Sequence, residues 1–185
     1  MEHLARGLEI MLEWLLILLM VALTSIVVIA VIYRKLDASL SWYDEVASIM
    51  LSWITYYGAA LAALKRKHIG FDSLLLALPM PWRIRAAWLA EAVTIGFFIL
   101  LAWAGWEVLQ VLAGDTLVSL TWMPVQVTQS VIPVGAVLFI IGELLSIPAY
   151  MDRVARGVSA DHAEIEAEIE AVGAHGAAQR TEPAR

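Results

Sequence analysis

Four stretches of the chain are apolar for long enough to cross a bilayer as helices, and the polar positions between them set their limits. A hydrocarbon core of about 30 Å takes about 20 predominantly apolar residues in a helix, because an unpaired backbone amide in lipid costs several kcal/mol. Trp14 to Tyr33 is an uncharged run of that length, and Val46 to Leu64 falls one residue short of it. The third stretch, Ala86 to Leu112, is interrupted by Glu91 and Glu107. A fourth lies within the uncharged Thr116 to Gly142 and continues past Glu143, with Pro124 suited to its first turn. The pattern predicts an all-α integral membrane protein with four transmembrane helices at about 12–34, 45–65, 86–112 and 124–151. Pro133 falls inside the last of them, where the missing N–H predicts a kink.

Between the second and third spans, His68 to Leu78 is apolar and flanked by Lys65-Arg66-Lys67 and Arg83, with Pro79 and Pro81 following it. Such a segment is better placed in the membrane interface than in water, so a short interfacial amphipathic helix is expected there, ended by the prolines. From Gly157 onward the chain is polar, and Glu164, Glu166, Glu168 and Glu170 place like charges where they oppose a helix. The organisation expected is a transmembrane domain over 1–156 and a disordered acidic tail over 157–185, with no internal repeat. The first apolar run is longer than a signal-peptide core, carries Glu9 and Glu13 before it, and ends in Tyr33-Arg34-Lys35 rather than small residues. It is therefore expected to stay as a helix of the mature protein.

Composition sharpens this picture. The 185 residues are 61% hydrophobic and 16% charged, against about 45–50% and about 25% in soluble domains. Too little polar surface remains to coat a water-soluble globule. The net charge of −6 sits mostly in the tail, which carries −4. No basic surface is left for nucleic acid, because the clustered Lys and Arg flank apolar spans. Those flanking charges set the orientation instead. Arg6, Lys65, Arg66, Lys67, Arg83, Arg85, Arg153 and Arg156 fall on one side and only Arg34 and Lys35 on the other. Basic residues are retained on the cytoplasmic face, which predicts cytoplasmic N and C termini.

Absences restrict the chemistry. With no cysteine there is no disulfide, thiolate nucleophile or iron–sulfur ligand. The four histidines, His3, His68, His162 and His175, all lie outside the spans, which argues against a haem held in the bundle and against a buried zinc. A glycine-rich phosphate loop and a serine in a tight glycine turn are also missing, so neither an enzyme nor a cofactor is expected.

Five acids flank the spans: Glu13, Glu45, Glu91, Glu107 and Glu143. Each sits near an expected helix end and reads first as a solvated end charge. Glu45 stands out because, with Asp44, it begins the second helix, where an anion can accept from free amides. Of the eight tryptophans, six fall near expected helix ends, where indoles favour the lipid boundary. Trp53 and Trp103 lie within spans and read as packing residues or subunit contacts. Gly58 with Ala62, and Ala59 with Ala63, have the spacing that lets helices approach closely, inside this chain or against a partner.

The order of these features resembles a known family. Ser41-Trp42-Tyr43-Asp44-Glu45 leads into Trp53-Ile54-Thr55-Tyr56-Tyr57-Gly58-Ala59-Ala60, then Lys65-Arg66-Lys67-His68-Ile69-Gly70-Phe71-Asp72. Ser119-Leu120, Pro124 and Ile132-Pro133-Val134-Gly135 follow at the fourth span. Together they resemble the DctQ-type small membrane subunit of TRAP (tripartite ATP-independent periplasmic) transporters, over about residues 8 to 155. One departure is Ser48, where members often carry Arg.

The resemblance implies a three-part, sodium-gradient-driven symporter of the bacterial inner membrane. A periplasmic DctP-type binding protein would deliver a solute such as an organic or sugar acid, and a large DctM-type subunit would move it. The small subunit would stay fixed and brace the large one. Trp42, Asp44, Glu45, Trp53, Gly58, His68, Asp72, Pro133 and Gly135 are then family-motif or subunit-interface residues, none of them assigned to solute. Two other classes remain at this point: a haem-free membrane anchor of a redox complex, and a small self-contained transporter using Glu91 or Glu107 as its coupling acid.

Overall fold

The computed structural model describes residues 2–66 and 78–157, with side chains from Leu4 onward. The interfacial helix expected between the second and third spans, the tail beyond Gly157, and His68 and Asp72 lie outside the described residues. Among the described residues there are five helices: α1 (Glu2–Lys35), α2 (Tyr43–Lys65), α3 (Met80–Val111), α4 (Val125–Gln129) and α5 (Val131–Arg156). Four segments among the described residues are long and apolar enough to cross a membrane: α1, α2, α3, and α4 with α5 taken together. The described residues hold no strand, and a single antiparallel bridge joins Thr116 to Pro124. The protein is an all-helical membrane protein.

α1 and α3 both begin earlier than the uncharged runs predict. In α1 the segment before Trp14 places Leu8 and Leu12 four residues apart on one face, and Leu12 is fully buried. Glu9 and Glu13, one position on from each leucine, do not end the helix, because Lys65 of α2 pairs with both. At the start of α3 the prolines initiate rather than only terminate. The amides of Trp82 and Arg83 donate to the Pro79 carbonyl at 2.9 and 3.1 Å, and Pro81 occupies the first turn, where a missing N–H costs nothing.

The disturbance expected at Pro133 falls just before it, at Ser130. The helix is interrupted at Ser130, and Pro133 lies in the first turn of α5. A proline ring crowds the carbonyl four residues before it, here that of Gln129, and that is where α4 ends. The proline inside a helix is Pro148, in α5.

Contacts divide the chain into two units, one combining Met1–His68 with Ala92–Ile147, the other Ile69–Glu91 with Pro148–Arg185. The core of the first is built from Leu12 of α1, Ala60 and Ala63 of α2 and Phe139 of α5, with Leu8, Tyr57, Phe98 and Leu138 packed around them. Phe98 of α3 stacks on Phe139, ring centroids 3.6 Å apart. In the second unit Ala87 and Val154 are buried. There Arg83 donates to the carbonyls of Val154 at 3.4 Å and Leu78 at 3.3 Å. Gly157 ends α5 with φ +74°, and a Cβ on it would meet the Arg83 guanidinium at 2.8 Å.

Candidate functional site

The polar side chains of the first unit converge at two ends of α2, and at both they tie this chain's helices to one another. At the carboxyl end of α2, consecutive residues reach in different directions. Lys65 pairs with Glu13 and, at 3.1 Å, with Glu9, joining α2 to α1. Arg66 pairs with Glu143 of α5 at 3.1 Å, and its Nε donates to the Ser146 hydroxyl at 2.8 Å. That hydroxyl in turn donates to the Glu143 carbonyl at 2.9 Å.

Arg66 and Glu143 are largely withdrawn from solvent, with side chains 13% and 6% exposed. Arg66 is also left-handed, at φ 51° and ψ 32°, and caps α2 by donating its amide to Ala62 and Ala63. A non-glycine residue holds that conformation at a cost of about 1 kcal/mol or more, and persists there when its surroundings determine it. Here the ion pair and the serine contact supply the determination.

The reading of the flanking acids as solvated end charges fails for Glu91 and Glu143, which are 5% and 4% exposed. The helices extend well beyond the uncharged runs, so both acids lie inside them.

At the amino end of α2, Glu45 does accept free amides, but those of a distant loop. Its two carboxylate oxygens take the N–H groups of Val118 and Ser119 at 3.1 and 2.9 Å. The Ser119 hydroxyl donates to the Ser41 carbonyl at 3.2 Å, a second tie between the same segments. The loop is held from its other side by Gln126, whose side-chain amide donates to the Leu109 carbonyl in the last turn of α3 at 2.8 Å. That carbonyl belongs to the group a helix end leaves without an internal partner. Gly114, at φ +97°, turns the chain out of α3.

Midway along α2, the Trp53 indole donates to the Thr128 carbonyl at 3.0 Å, next to the break at Ser130. Around it the helices approach through glycine. A Cβ on Gly105 of α3 would come within 3.0 Å of the Pro133 ring, and one on Gly135 within 2.7 Å of the Tyr56 Cβ. A Cβ on Gly142 would meet the Ala60 carbonyl at 3.0 Å. Gly58 differs, since nothing lies within 4 Å of where its Cβ would be.

The structure thus brings together Glu45, Trp53, Pro133 and Gly135 as parts of one set of contacts among α2, α3, α4 and α5. Trp42 precedes α2 without a side-chain capping bond, and Asp44 is exposed in its first turn. Sequence reasoning missed Arg66, Glu143 and Ser146 as a unit, and missed Gly105 and Gly142. The signal for the first was an acid set deep in a long apolar run, which needs a cation from elsewhere.

The hydroxyls of Thr24, Ser25, Ser48, Ser52 and Thr55 each donate to the carbonyl four residues earlier in their own helix. Among the described residues no three of His, Asp and Glu are grouped as metal ligands. This arrangement is suited to holding helices at fixed spacing. The family described as "Tripartite ATP-independent periplasmic transporters, DctQ component" matches the chain over residues 23–148. No curated protein sequence matches it.

Proposed function

This chain belongs to the DctQ family, the small membrane subunit of tripartite ATP-independent periplasmic transporters, and from that premise we propose that it braces the large transport subunit and carries no solute itself. The observation that supports this most is where its polar groups go. Lys65, Arg66, Glu45, Trp53 and Gln126 are engaged in ties between helices and loops of the chain itself. The span hydroxyls bond their own backbones. A path for an ion or a carboxylate needs polar groups facing a cavity, and these face each other.

In this reading the partner is a DctM-type membrane subunit that moves the solute by a sodium-driven cycle, fed by a DctP-type periplasmic binding protein. The solute is an organic or sugar acid. The subunit lies in the bacterial inner membrane with both termini cytoplasmic, in keeping with the bias of Lys and Arg. In this proposal Trp42, Asp44, Gly58, His68 and Asp72 are assigned to contacts with the large subunit, whereas Glu45, Trp53, Pro133 and Gly135 serve the inner frame. Large apolar side chains exposed along α1 and α3, among them Ile17, Leu18, Phe97 and Trp103, give a wide surface for lipid and partner.

Co-expression with a DctM-type subunit tests the proposal. The two chains should co-purify in mild detergent. Recovery of this chain as a free monomer beside a properly inserted large subunit would count against it.

A further inference from the structure

We propose that Arg85, framed by Trp82 and Trp88, binds the phosphodiester of an anionic phospholipid at the membrane surface. The inference follows from what the basic side chains around it are doing. In its unit Arg83 is engaged with the Leu78 and Val154 carbonyls, and Arg156 pairs with Asp152. Arg153 has its Nε buried. Arg85 is exposed, and among the described residues no carboxylate pairs with it. Its guanidinium carbon lies 5.4 Å from the centre of the Trp82 ring.

The surroundings suit a lipid headgroup. Trp82 and Trp88 stand three residues to either side of Arg85 on α3, neighbouring positions on a helix surface, and are 60% and 53% exposed. A guanidinium held over an indole keeps its N–H edge available for a bidentate approach to phosphate oxygens. Both indoles carry an N–H donor and favour the headgroup level. Leu89, four residues on from Arg85 and 66% exposed, continues the surface with an apolar side chain at the position an acyl chain would take. A net negative headgroup therefore finds a cation that no carboxylate among the described residues pairs with, directly above apolar surface. The occupant is a phospholipid with one net negative charge, of the phosphatidylglycerol type. This inference rests on α3 crossing a bilayer and not on the transporter reading, so its failure leaves that reading standing.

The experiment uses the full chain, purified and delipidated in mild detergent, with phosphatidylglycerol or phosphatidylcholine added and retained lipid counted by native mass spectrometry. The wild-type chain should retain phosphatidylglycerol in preference, and Arg85→Gln should reduce that preference about fivefold, the share of one cation near an anionic surface. Without any variant, raising the salt should weaken the wild-type preference. Equal retention of the two lipids by the wild type would overturn the proposal. So would an undiminished preference in Arg85→Gln, a preference indifferent to salt, or displacement of the lipid by millimolar inorganic phosphate, which would mark a site for the free ion.

Discussion

Replacing Glu143 by Gln removes the counter-charge that faces Arg66 at 3.1 Å. At that separation and an effective dielectric constant of about 20, the gross attraction is about 5 kcal/mol. Desolvation of two largely buried ions offsets much of it, so the pair's net worth is small, whereas removing one member leaves the other's desolvation uncompensated. Losses of about 3–5 kcal/mol are usual for such single changes. We therefore expect Glu143→Gln to lower stability by about 3 kcal/mol. The double change Arg66→Met with Glu143→Leu should recover most of that loss, because two apolar side chains carry no desolvation cost. Met at position 66 faces the same left-handed backbone as Arg, so the comparison is not distorted by φ. Unfolding in mild detergent, followed by tryptophan fluorescence, compares the wild type with Glu143→Gln and with the double variant. A double variant as damaged as Glu143→Gln, or a single variant indistinguishable from wild type, would refute the electrostatic account of this tie.

Three further expectations are independent of it. Glu45→Gln gives up the charge that holds the α3–α4 loop, so hydrogen exchange at the Val118 and Ser119 amides should quicken while the helix interiors stay protected; unchanged exchange there would contradict the assignment. Gly135→Ala places a methyl 2.7 Å from the Tyr56 Cβ and should cost about 1–3 kcal/mol, whereas Gly58→Ala meets open space and should be tolerated by the isolated chain. The reverse order in unfolding experiments would show that the helices pack otherwise. A reporter fused after Arg156 should be active only in its cytoplasmic form, and one inserted near Ala38 only in its periplasmic form; the opposite pattern would invert the topology.

The spans were legible because length and apolarity in lipid leave little choice: Trp14 to Tyr33 and Val46 to Leu64 have to be helical once they are in a bilayer. Their limits were less so. Glu9 and Glu13 look like the boundary of α1 when read along the chain, yet they lie on a helix that continues to Glu2, with Lys65 as their partner. Lys65 and Arg66 were legible only as orientation charges, since the acids they meet are far away in sequence. Glu45 was half legible: the start of a helix marks an acid as an amide acceptor, but not that the amides belong to Val118 and Ser119. Pro133 announced a disturbance, and its position relative to Ser130 depended on how the Gln129 carbonyl gave way. Periodicity shows which residues share a helix; it does not show which helix lies opposite.

The claim at the centre of this account is that the bundle is static while its partner works, and the absence of cysteine allows that to be tested by a single introduced pair. A Cβ on Gly142 would lie 3.4 Å from the Leu64 Cβ, close to the span a disulfide bridges, and 3.0 Å from the Ala60 carbonyl, so assembly and uptake of the reduced variant are first matched to wild type. Leu64→Cys with Gly142→Cys, assembled with the large subunit in proteoliposomes, would lock α2 to α5 under oxidation. Sodium-driven solute uptake should be the same in the oxidised and reduced complexes. Uptake abolished by oxidation and restored by reductant would show that these helices move during transport, and that the subunit is not a passive brace.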